Sequence, residues 1–547
     1  MIEPIPRAGR QCHSEAMHGR NAHSAWTRFG VAWASRPWVF LLLALAPSSL
    51  LARPFTVMVY NVENLHDADG VAVYDDYQPA RYTPAHALTK LQNIAAVVAR
   101  AGSVGNPPEV ILFQEIEIDH TPGKRPPDYP ALLKRYAGTT IERMLGPDFT
   151  PEIADLPAEA LLLKAFVDRG MVGYSVVSGG DGDAAAEGAG PNADEVVDLR
   201  ARPAIKNVVF TRLPIKTVRT FAMSSARNLL EVQLDVDGYL LTVFNNHWKA
   251  GASDAKMELI RLENAAVLRR RLDELLKADP HADIVIGGDL NSHYNQKRRY
   301  RKFPSTGINE VLGSQGNELA IRGSTRDLYN LWFELAEAER GSDVYAGEWG
   351  TLMHLLITRG LYDQTGVRYV DNSFAVARFA GLNADAADLL PVRWSAEGAG
   401  GRGYSDHFPL TARFQTVTDG QPGKFTPLTR EAAGREDDGD AAARKVDLAK
   451  TDFSAAVELA QLPAEANLRD GTWTGKFFRV KAQALDDRLL RIEVRGQIYD
   501  VYGPRKEIRE RLYAQRRNQE GNLTFYGELG TFKGTWQFLV KSTDWVK

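Results

Sequence analysis

Polar residues that could carry phosphate chemistry stand at the ends of several apolar runs in this sequence. They are carboxylates, amides and imidazoles, in chain order Asn61, Glu63, Glu115, His247, Asp289, Asn291, Asp406 and His407. The adjoining runs, such as FTVMVYNVENL and IVIGGDLNSH, have the composition of β-strands. Active sites of α/β proteins form at the ends of strands. Four of the runs carry these residues at their C-terminal ends, whereas Asp406 and His407 stand at the N-terminal end of the fifth. Parallel and antiparallel strands must therefore combine for the residues to meet.

The carboxylates in this set predict a divalent-metal site. Glu115, Asp289 and Asp406 offer oxygen ligands, and Asn61 and Glu63 lie close to them in the predicted sheet. Mg²⁺ prefers oxygen and keeps several waters, whereas zinc would require more His or Cys. We therefore expect Mg²⁺, with Mn²⁺ or Ca²⁺ as alternatives. The predicted metal-side residues are Glu115, Asp406, Asn61 and Glu63.

The histidines extend this chemistry to phosphoester hydrolysis. Imidazoles titrate near the working range of pH. A metal polarises a phosphoryl oxygen, a base takes a proton from water, and amides or cations hold the developing charge. The two histidines His247 and His407, the carboxylate Asp289 and the amides Asn61 and Asn291 are the candidates for these roles.

The stretch GGDLNSH also has a purely local interpretation. Asp-Leu-Asn is good turn chemistry, because Asp and Asn side chains bond to their own backbone. We expect Gly287 and Gly288 to let the chain turn sharply after the strand. His293 is interpreted as a loop residue.

The remaining pattern predicts a mixed α/β fold. Residues 86–102 and 256–278 have the apolar spacing of amphipathic helices. Strands are predicted over 55–65, 109–117, 204–214, 284–288, 352–358 and 407–414. Residues 227–251 read as a hairpin, because Asp237-Gly238 separates two alternating runs.

Composition and the N-terminus predict an exported protein. The chain has 547 residues with 44% hydrophobic and 25% charged residues, as in ordinary globular proteins, and its net charge of −3 neither favours nor opposes a nucleic-acid partner. Residues 1–52 have the layout of a signal peptide, in which arginines precede the short run WVFLLLALA. This run is too short to span a membrane. The single cysteine, Cys12, precedes the expected cut after Ala52. We expect a periplasmic or extracellular chain without disulfides, cysteine metal sites or a transmembrane anchor.

The composition changes after the last of these strands. We predict a catalytic domain over 53–416, a polar linker over 417–464 and a small all-β domain over 465–547. The last segment holds 16 Lys and Arg against 11 Asp and Glu. Its interleaved aromatic residues are Trp473, Phe477, Phe478, Tyr499, Tyr502, Tyr526, Phe532 and Trp536. Such surfaces bind single-stranded nucleic acid, and the alternative is that these aromatic rings form a core. Residues 526–546 resemble the last strands of OB-fold modules.

Five motifs together resemble one superfamily. YNVENL (60–65), LFQEIE (112–117), NNHWKAG (245–251), GGDLNS (287–292) and YSDHFPL (404–410) occur in the order and approximate spacing of the endonuclease/exonuclease/phosphatase superfamily, the DNase I-like fold. The resemblance covers residues 55–414. It implies a four-layer α/β/β/α sandwich of two mixed sheets.

The resemblance also implies roles for individual residues. Asn61 resembles the Asn that orients metal ligands or phosphate, Glu115 the main metal-binding Glu, and Asp406 a further metal-side Asp.

On the catalytic side, Asp289 and Asn291 resemble the pair that holds the nucleophilic water and the phosphate. His247 and His407 resemble the two catalytic histidines. The resemblance thus implies that His247, Asp289, Asn291 and His407 are catalytic and that the substrate phosphate contacts Asn61, Asn291 and Lys249. The sequence leaves the general base open between Asp289 and His407.

One departure from the superfamily pattern affects His407. Many members have an Asp that orients the last histidine, and here GTLMHLLIT places Met353 at that position, with His354 next to it. A methionine is only a weak acceptor. We expect another carboxylate, such as Asp363 or Glu348, to take over.

Three functions fit these observations. The first is an exported nuclease that acts on nucleic acid without a stable protein partner. The second is a phosphodiesterase or phosphatase of the same superfamily that acts on a phospholipid or inositol phosphate. The third is a catalytically weakened binding protein, for which Met353 is the only support. The basic C-terminal segment favours the nuclease.

Overall fold

The computed structural model describes residues 54–102, 106–121, 127–179, 203–417, 420–428, 443–485, 489–532 and 534–547. The predicted signal peptide and residues 429–442 of the predicted linker lie outside this part of the chain. Within it, no helix is long and apolar enough to cross a membrane. The described residues belong to one compact unit, so the predicted domain boundaries stay a prediction.

A mixed seven-stranded sheet carries the first two motifs. Its strands, from one edge to the other, are Val367–Tyr369, Leu410–Thr416, Pro54–Leu65, Val110–Glu117, Ile205–Thr211 and Ser175–Ser178, with Ala375–Val376 beside Leu410–Thr416. Pro54–Leu65 runs parallel to Val110–Glu117 and antiparallel to Leu410–Thr416. The mixture of strand directions inferred from the polar strand ends is therefore confirmed.

A second seven-stranded sheet carries the next two motifs. Its strands, in order, are Ile215–Phe221, Leu229–Val236, Tyr239–His247, Asp283–Asp289, Met353–Ile357, Leu328–Asn330 and Ser314–Gln315. The predicted hairpin is confirmed at Asp237 and Gly238, which have φ angles of 54° and 93°. Positive φ at both central residues matches the right-handed twist of the flanking strands.

Apolar faces join the two sheets, and helices cover their outer faces. Val59 and Leu112 of the first sheet share a buried cluster with Val243 and Val285 of the second. The outer face of the first sheet packs against residues of the helices Pro84–Ala101 and Ala158–Asp168. The outer face of the second sheet packs against the helix Ala255–Ala278. The four-layer α/β/β/α architecture is confirmed. Shorter helices of this region are Tyr129–Arg135, Ile141–Met144, Pro151–Ala154, Gln296–Arg299 and Glu318–Gly323.

Two glycines permit this packing at the strand that leads to Asp289. The strand Asp283–Asp289 continues through Gly287 and Gly288, so the expected sharp turn at the glycines was wrong. A Cβ on Gly287 would lie 2.6 Å from Leu112 Cδ1 and 2.8 Å from Val59 Cγ2, across the sheet interface. Gly288 has φ +133°, and a Cβ there would lie 2.0 Å from the carbonyl oxygen of Asn246. The glycines allow close approach rather than a change of direction.

A β-barrel follows in the C-terminal region. Its sheet contains, in order, Val457–Glu458, Phe477–Gln483, Asn522–Phe532, Thr535–Leu539, Gln497–Tyr502 and Arg491–Val494. A bridge between Ala484 and Ile492 joins the strand Phe477–Gln483 to Arg491–Val494 and closes a ring of five strands. A small closed barrel of five strands is the architecture of OB-fold modules.

The barrel also contains a helix that the sequence analysis missed. Lys506–Asn518 lies between the strands Gln497–Tyr502 and Asn522–Phe532. Its buried residues Ile508, Leu512 and Gln515 follow a helical spacing. The charged residues around them hid this spacing.

Most of the predicted aromatic face belongs to the barrel core. Phe477, Phe478 and Tyr499 are buried there, and three further aromatic residues pack partly buried against them: Trp473, Tyr526 and Trp536. Only Tyr502 and Phe532 of the eight are exposed, by 45% and 62%. The alternative that these rings form a core is therefore correct for six of the eight.

Candidate active site

The predicted site residues converge at one end of the two sheets. Asn61 and Glu115 come from parallel neighbouring strands of the first sheet. His247 and Asp289 are directly opposite each other on parallel strands of the second sheet. His407 precedes its strand, which begins at Leu410 rather than at 407 as predicted.

Asn61 connects the two sheets at the centre of the site. Its side-chain amide donates to Glu115 Oε1 at 3.0 Å and to Asp289 Oδ2 at 3.1 Å. The Asn61 side-chain oxygen accepts from the backbone N–H of Glu63 at 3.0 Å. Asn61 is fully buried and therefore fixes the two carboxylates relative to each other. This contact agrees with an orienting role for its amide group.

Unusual backbone conformations aim three of these side chains, and the first is Glu63, with φ 51°. Glu115 has φ 66°, where the pairing of its strand with the neighbouring strand Ile205–Thr211 changes register. Asn291 has φ 46°, and its backbone N–H donates to Asp289 Oδ1 at 2.8 Å. Non-glycine residues with positive φ are uncommon and concentrate at functional sites. The sharp turn that the sequence suggested at the glycines lies here, after Asp289.

Both histidines lie within 4 Å of Asp289. His247 Nε2 is 3.9 Å and His407 Nε2 is 3.7 Å from Asp289 Oδ2. His247 Nε2 is also 3.8 Å from Glu115 Oε1, and His407 Nε2 is 3.7 Å from Asp406 Oδ1. Both imidazoles therefore direct Nε2 toward the carboxylates, at distances that a substrate oxygen or a water could bridge.

Their surroundings push the pKa values of the two histidines apart. Burial lowers the pKa of His247 well below 6.5, and Arg227 and His407 act in the same direction. Burial also works to lower the pKa of His407, but Asp406, Asp289 and other carboxylates raise it to about 9. At neutral pH the structure therefore holds a neutral His247 and a cationic His407.

The carboxylates repel one another in this buried place. Burial, and then the charge of Asp406, raise the pKa of Glu115 to about 7. Burial likewise raises the pKa of Asp289, against the effect of His407. A divalent cation would relieve this repulsion, so the donor set of Glu115 and Asp406 fits an oxygen-preferring metal.

Glu63, a predicted metal-side residue, has both carboxylate oxygens engaged. Oε1 accepts from Arg393 Nη2 at 2.8 Å, and Oε2 accepts from the backbone N–H of Trp394 at 2.8 Å. Arg393 Nη2 also lies 3.5 Å from Asp406 Oδ2. In this arrangement Glu63 holds Arg393 at the rim of the site.

Sequence reasoning missed two cations here, Lys90 and Arg393. Lys90 is fully buried, donates to the carbonyl oxygen of Glu63 at 2.8 Å and lies 4.7 Å from the ring centroid of Trp394. Burial lowers the pKa of Lys90 to about 7, against the attraction of Glu63 and Asp406. The signal for Lys90 was its place on the apolar stripe of its helix. Arg393 lies in an irregular segment far along the chain and gave no such signal.

The two remaining residues of the GGDLNSH and NNHWKAG motifs differ in their surroundings. His293 is buried and accepts from the backbone N–H of Thr351 at 3.2 Å, so it supports a loop, as expected. Lys249 is half-buried two residues beyond His247, and its carbonyl oxygen accepts from Arg261 at 3.0 Å. The contact of Lys249 with a phosphate stays a prediction.

Neither carboxylate expected to replace Asp at position 353 does so. Asp363 Oδ2 lies 2.7 Å from His281 Nδ1, and Glu348 Oε2 accepts from Arg299 at 3.2 Å. Met353 is fully buried opposite Asp289.

Two acidic clusters elsewhere have metal-like spacing. Among the residues that the structure describes, the groups whose ligand atoms all lie within 4.8 Å of one another are Asp67, Asp69 and Asp119, and Glu318, Glu334 and Asp371. Neither group contains a predicted metal-side residue. A Mg²⁺ site needs only one or two carboxylates, because this ion keeps several of its waters.

Comparisons with known proteins find one matching family model and several similar solved structures. Residues 201–416 match the model of the Endonuclease/Exonuclease/phosphatase family. No curated protein matches the chain. Similar solved structures include an endonuclease/exonuclease/phosphatase from Beutenbergia cavernae, with 16% identity, 67% of this chain and 72% of that chain covered, and a TM-score of 0.38. TDP2 from C. elegans has 12% identity, with 66% and 75% covered and a TM-score of 0.33. An endonuclease/exonuclease/phosphatase family protein from Bacteroides thetaiotaomicron has 13% identity, with 67% and 99% covered and a TM-score of 0.35.

The fold and site define a phosphoesterase architecture. The resemblance to the endonuclease/exonuclease/phosphatase superfamily predicted from the five motifs is confirmed by the family model over residues 201–416, which contain the last three of these motifs. Members of this superfamily are divalent-metal-dependent phosphodiesterases, phosphatases and nucleases.

Proposed function

We propose that this protein is a Mg²⁺-dependent phosphodiesterase whose substrate is nucleic acid. The observation that carries the proposal is the position of Asp289. Its Oδ2 atom lies 3.9 Å from His247 Nε2 and 3.7 Å from His407 Nε2, and it accepts from Asn61. A buried carboxylate close to two imidazoles can receive a proton from water while a histidine holds the phosphate.

The separated pKa values favour Asp289 as the general base. A cationic His407 has no free lone pair at Nε2 with which to take a proton, whereas it can donate to an oxygen that gains negative charge. The raised pKa of Asp289 brings this carboxylate nearer to the working pH, which improves a base. Neutral His247 is then left to hydrogen-bond the phosphate or the leaving group.

The metal would be held by Glu115 and Asp406. When bound, Mg²⁺ would neutralise charge on the phosphoryl group and polarise it. Asn61 would keep Glu115 and Asp289 in place, since its amide donates to both.

The charge around the site favours an anionic polymer. Arg393 lies 3.5 Å from Asp406, Lys249 is two residues beyond His247, and the charge of Arg227 acts on Glu115. Such cations neutralise successive phosphates.

The barrel lies against a segment that also reaches the site. Lys541 of the barrel bonds to Asp388 at 3.0 Å, and Thr531 donates to Glu397. Between these two positions in sequence, Arg393 contacts the site carboxylates Glu63 and Asp406. A strand of nucleic acid leaving the site therefore has a basic module nearby, with Tyr502 and Phe532 exposed for base stacking.

A substrate panel tests this proposal on the full chain. Supercoiled plasmid, single-stranded oligonucleotide, sphingomyelin vesicles and an inositol phosphate are each incubated with Mg²⁺ or with EDTA. Asp289→Asn serves as the inactive variant. The proposal predicts metal-dependent cleavage of nucleic acid that Asp289→Asn abolishes. Hydrolysis of vesicles or inositol phosphate without cleavage of nucleic acid would refute the substrate assignment and support the second function.

Export remains part of the proposal. It rests on the layout of residues 1–52. Expression of the full chain in a bacterium, followed by fractionation and N-terminal sequencing, tests it. A new N-terminus near residue 53 in the periplasm or medium is expected, and an uncut chain in the cytoplasm would contradict export.

A further inference from the structure

The hairpin Asp343–Tyr345 and Glu348–Gly350 lies beside the SDH motif. Asp343 forms an antiparallel bridge with His407, and the backbone N–H of Phe408 donates to the carbonyl oxygen of Ser342 at 2.6 Å. Residues directly opposite each other in an antiparallel pair place their side chains on the same face, with Cβ atoms about 4.5–5.5 Å apart. The bridge therefore places the side chains of Asp343 and His407 on the same face of this strand pair.

His407 has a buried nitrogen on the side away from the carboxylates of the site. Its Nε2 atom points toward Asp289 and Asp406, whereas its Nδ1 atom is buried and has no hydrogen-bond partner. Buried polar atoms are almost always hydrogen-bonded, and catalytic hydrogen bonds of a substrate-free site are often long until substrate binds. Nδ1 therefore needs an acceptor that lies close behind the ring.

Asp343 is the candidate for this acceptor, and in this structure its oxygens form no hydrogen bond with His407 Nδ1. It is buried, and its Oδ1 atom accepts from Ser342 Oγ at 3.1 Å and from the backbone N–H of Leu352 at 3.3 Å. The charges of Asp289 and Asp406 also raise the pKa of His407, but these two carboxylates face its Nε2 atom. Asp343 is the carboxylate on the hairpin side of the ring. Burial raises the pKa of Asp343, and the charge of His407 lowers it, which agrees with their proximity.

A glycine makes room for this carboxylate. A Cβ on Gly350 would lie 1.9 Å from Asp343 Oδ2, so the carboxylate rests directly on the backbone of the opposite hairpin strand. Real Cβ atoms do not approach other atoms so closely, and any larger residue at position 350 would displace Asp343. The cradle is specific to this carboxylate.

We infer that Asp343 is the positioning residue of His407, and that it replaces from the hairpin the carboxylate that Met353 cannot supply. Met353 is directly opposite Asp289 across the strands, so a carboxylate at position 353 would lie on the same face as Asp289. Asp343 reaches His407 from the SDH side instead. The inference rests on the proposed role of His407 at the substrate phosphate. It removes the one argument for a catalytically weakened protein.

Substitution of Asp343 tests the inference by two independent readouts. Asp343→Asn keeps the shape and removes the charge, and kcat should fall about 10- to 100-fold with little change in KM, as for other groups that orient a catalytic side chain. Gly350→Ala should act in the same direction by displacing Asp343. Glu348→Gln removes a charge from the same hairpin and should leave kcat unchanged.

The second readout needs no activity. In full-length protein labelled with ¹⁵N-histidine, the imidazole signals of His407 are assigned by their loss in His407→Gln. Asp343→Asn should move the His407 Nδ1 signal, whereas Glu348→Gln should not. If the wild type hydrolyses no phosphoester but this signal moves, the proposed function fails and the positioning role stands.

A rescue variant keeps the test falsifiable. Met353→Asp in the Asp343→Asn background returns a carboxylate to the neighbourhood of His407 and should recover part of the lost kcat. An unchanged kcat together with an unchanged His407 signal in Asp343→Asn would overturn the inference, whatever the double variant does. Loss of folding in the double variant would leave the single variants and the signal as the deciding results.

Discussion

Substitution of the two glycines before Asp289 tests how the sheets and the site fit together. Gly287→Ala places a methyl group between the sheets, 2.6 Å from Leu112 Cδ1 and 2.8 Å from Val59 Cγ2. These partners are ends of side chains in a fully buried interface, and such overpacking costs about 1–3 kcal/mol. Gly288→Ala adds backbone strain, because φ is +133°, to a clash with the backbone of Asn246 at 2.0 Å. Strain and overpacking together give about 2–6 kcal/mol.

Calorimetry and kinetics on the same proteins separate the two variants. Gly288→Ala should lower Tm more than Gly287→Ala does. It should also reduce kcat, because Asn246 is opposite Gly288 in the parallel pair and adjoins His247. Gly138→Ala is the control, since a Cβ there meets nothing within 4 Å. If Gly287→Ala had the same Tm as Gly138→Ala, the close packing of the two sheets would be refuted.

Three further predictions address the histidines, the metal and the barrel. His247→Ala and His407→Ala should each lower kcat about 10²- to 10⁴-fold, and a wild-type rate in either variant would remove that histidine from the chemistry. In the metal-free folded protein the pKa of Glu115 is about 7, against about 4.5 in the unfolded chain. The contribution of protonated Glu115 to folding stability is therefore complete below pH 4.5 and is lost as the pH rises through 7. Mg²⁺ binds the ionised form and should therefore raise Tm more at pH 8 than at pH 5; an equal shift at both pH values would contradict binding by Glu115. Lys541→Met leaves the fully buried carboxylate of Asp388 without its lysine. This loss should lower the free energy of unfolding by about 3–5 kcal/mol and make the barrel more sensitive to proteolysis. Unchanged resistance to proteolysis would show that this ion pair does not hold the barrel in place.

The strands and long helices were predictable because local pattern and tertiary packing agree. The Asp-Gly turn at 237–238 and the helix Ala255–Ala278 follow directly from residue type and spacing. The strand ends were less certain: the strand Asp283–Asp289 continues through both glycines, since glycine there serves the contact between sheets rather than a turn. Local turn propensity could not reveal a partner that lies on another sheet.

The parts of the site that were missed depend on distant contacts. Lys90 is on a helix and Arg393 is in an irregular segment more than 300 residues later, yet both contact Glu63. Asp343 is in a short hairpin without apolar periodicity. The aromatic residues of the barrel could bind nucleic acid or build its core, and the sequence looks the same for either role. Only the packing shows that six of the eight lie in the core or against it.

The most direct test of the central claim is steady-state hydrolysis of bis(4-nitrophenyl) phosphate by full-length protein over a Mg²⁺ titration, with Asp289→Asn and Glu115→Gln beside the wild type. We predict hydrolysis that rises with Mg²⁺ and stops with EDTA. Each variant should lose at least about 100-fold in kcat/KM, with a circular-dichroism spectrum like that of the wild type. Hydrolysis that persists in Asp289→Asn, or that EDTA leaves unchanged, would contradict a metal-dependent phosphodiesterase centred on Asp289.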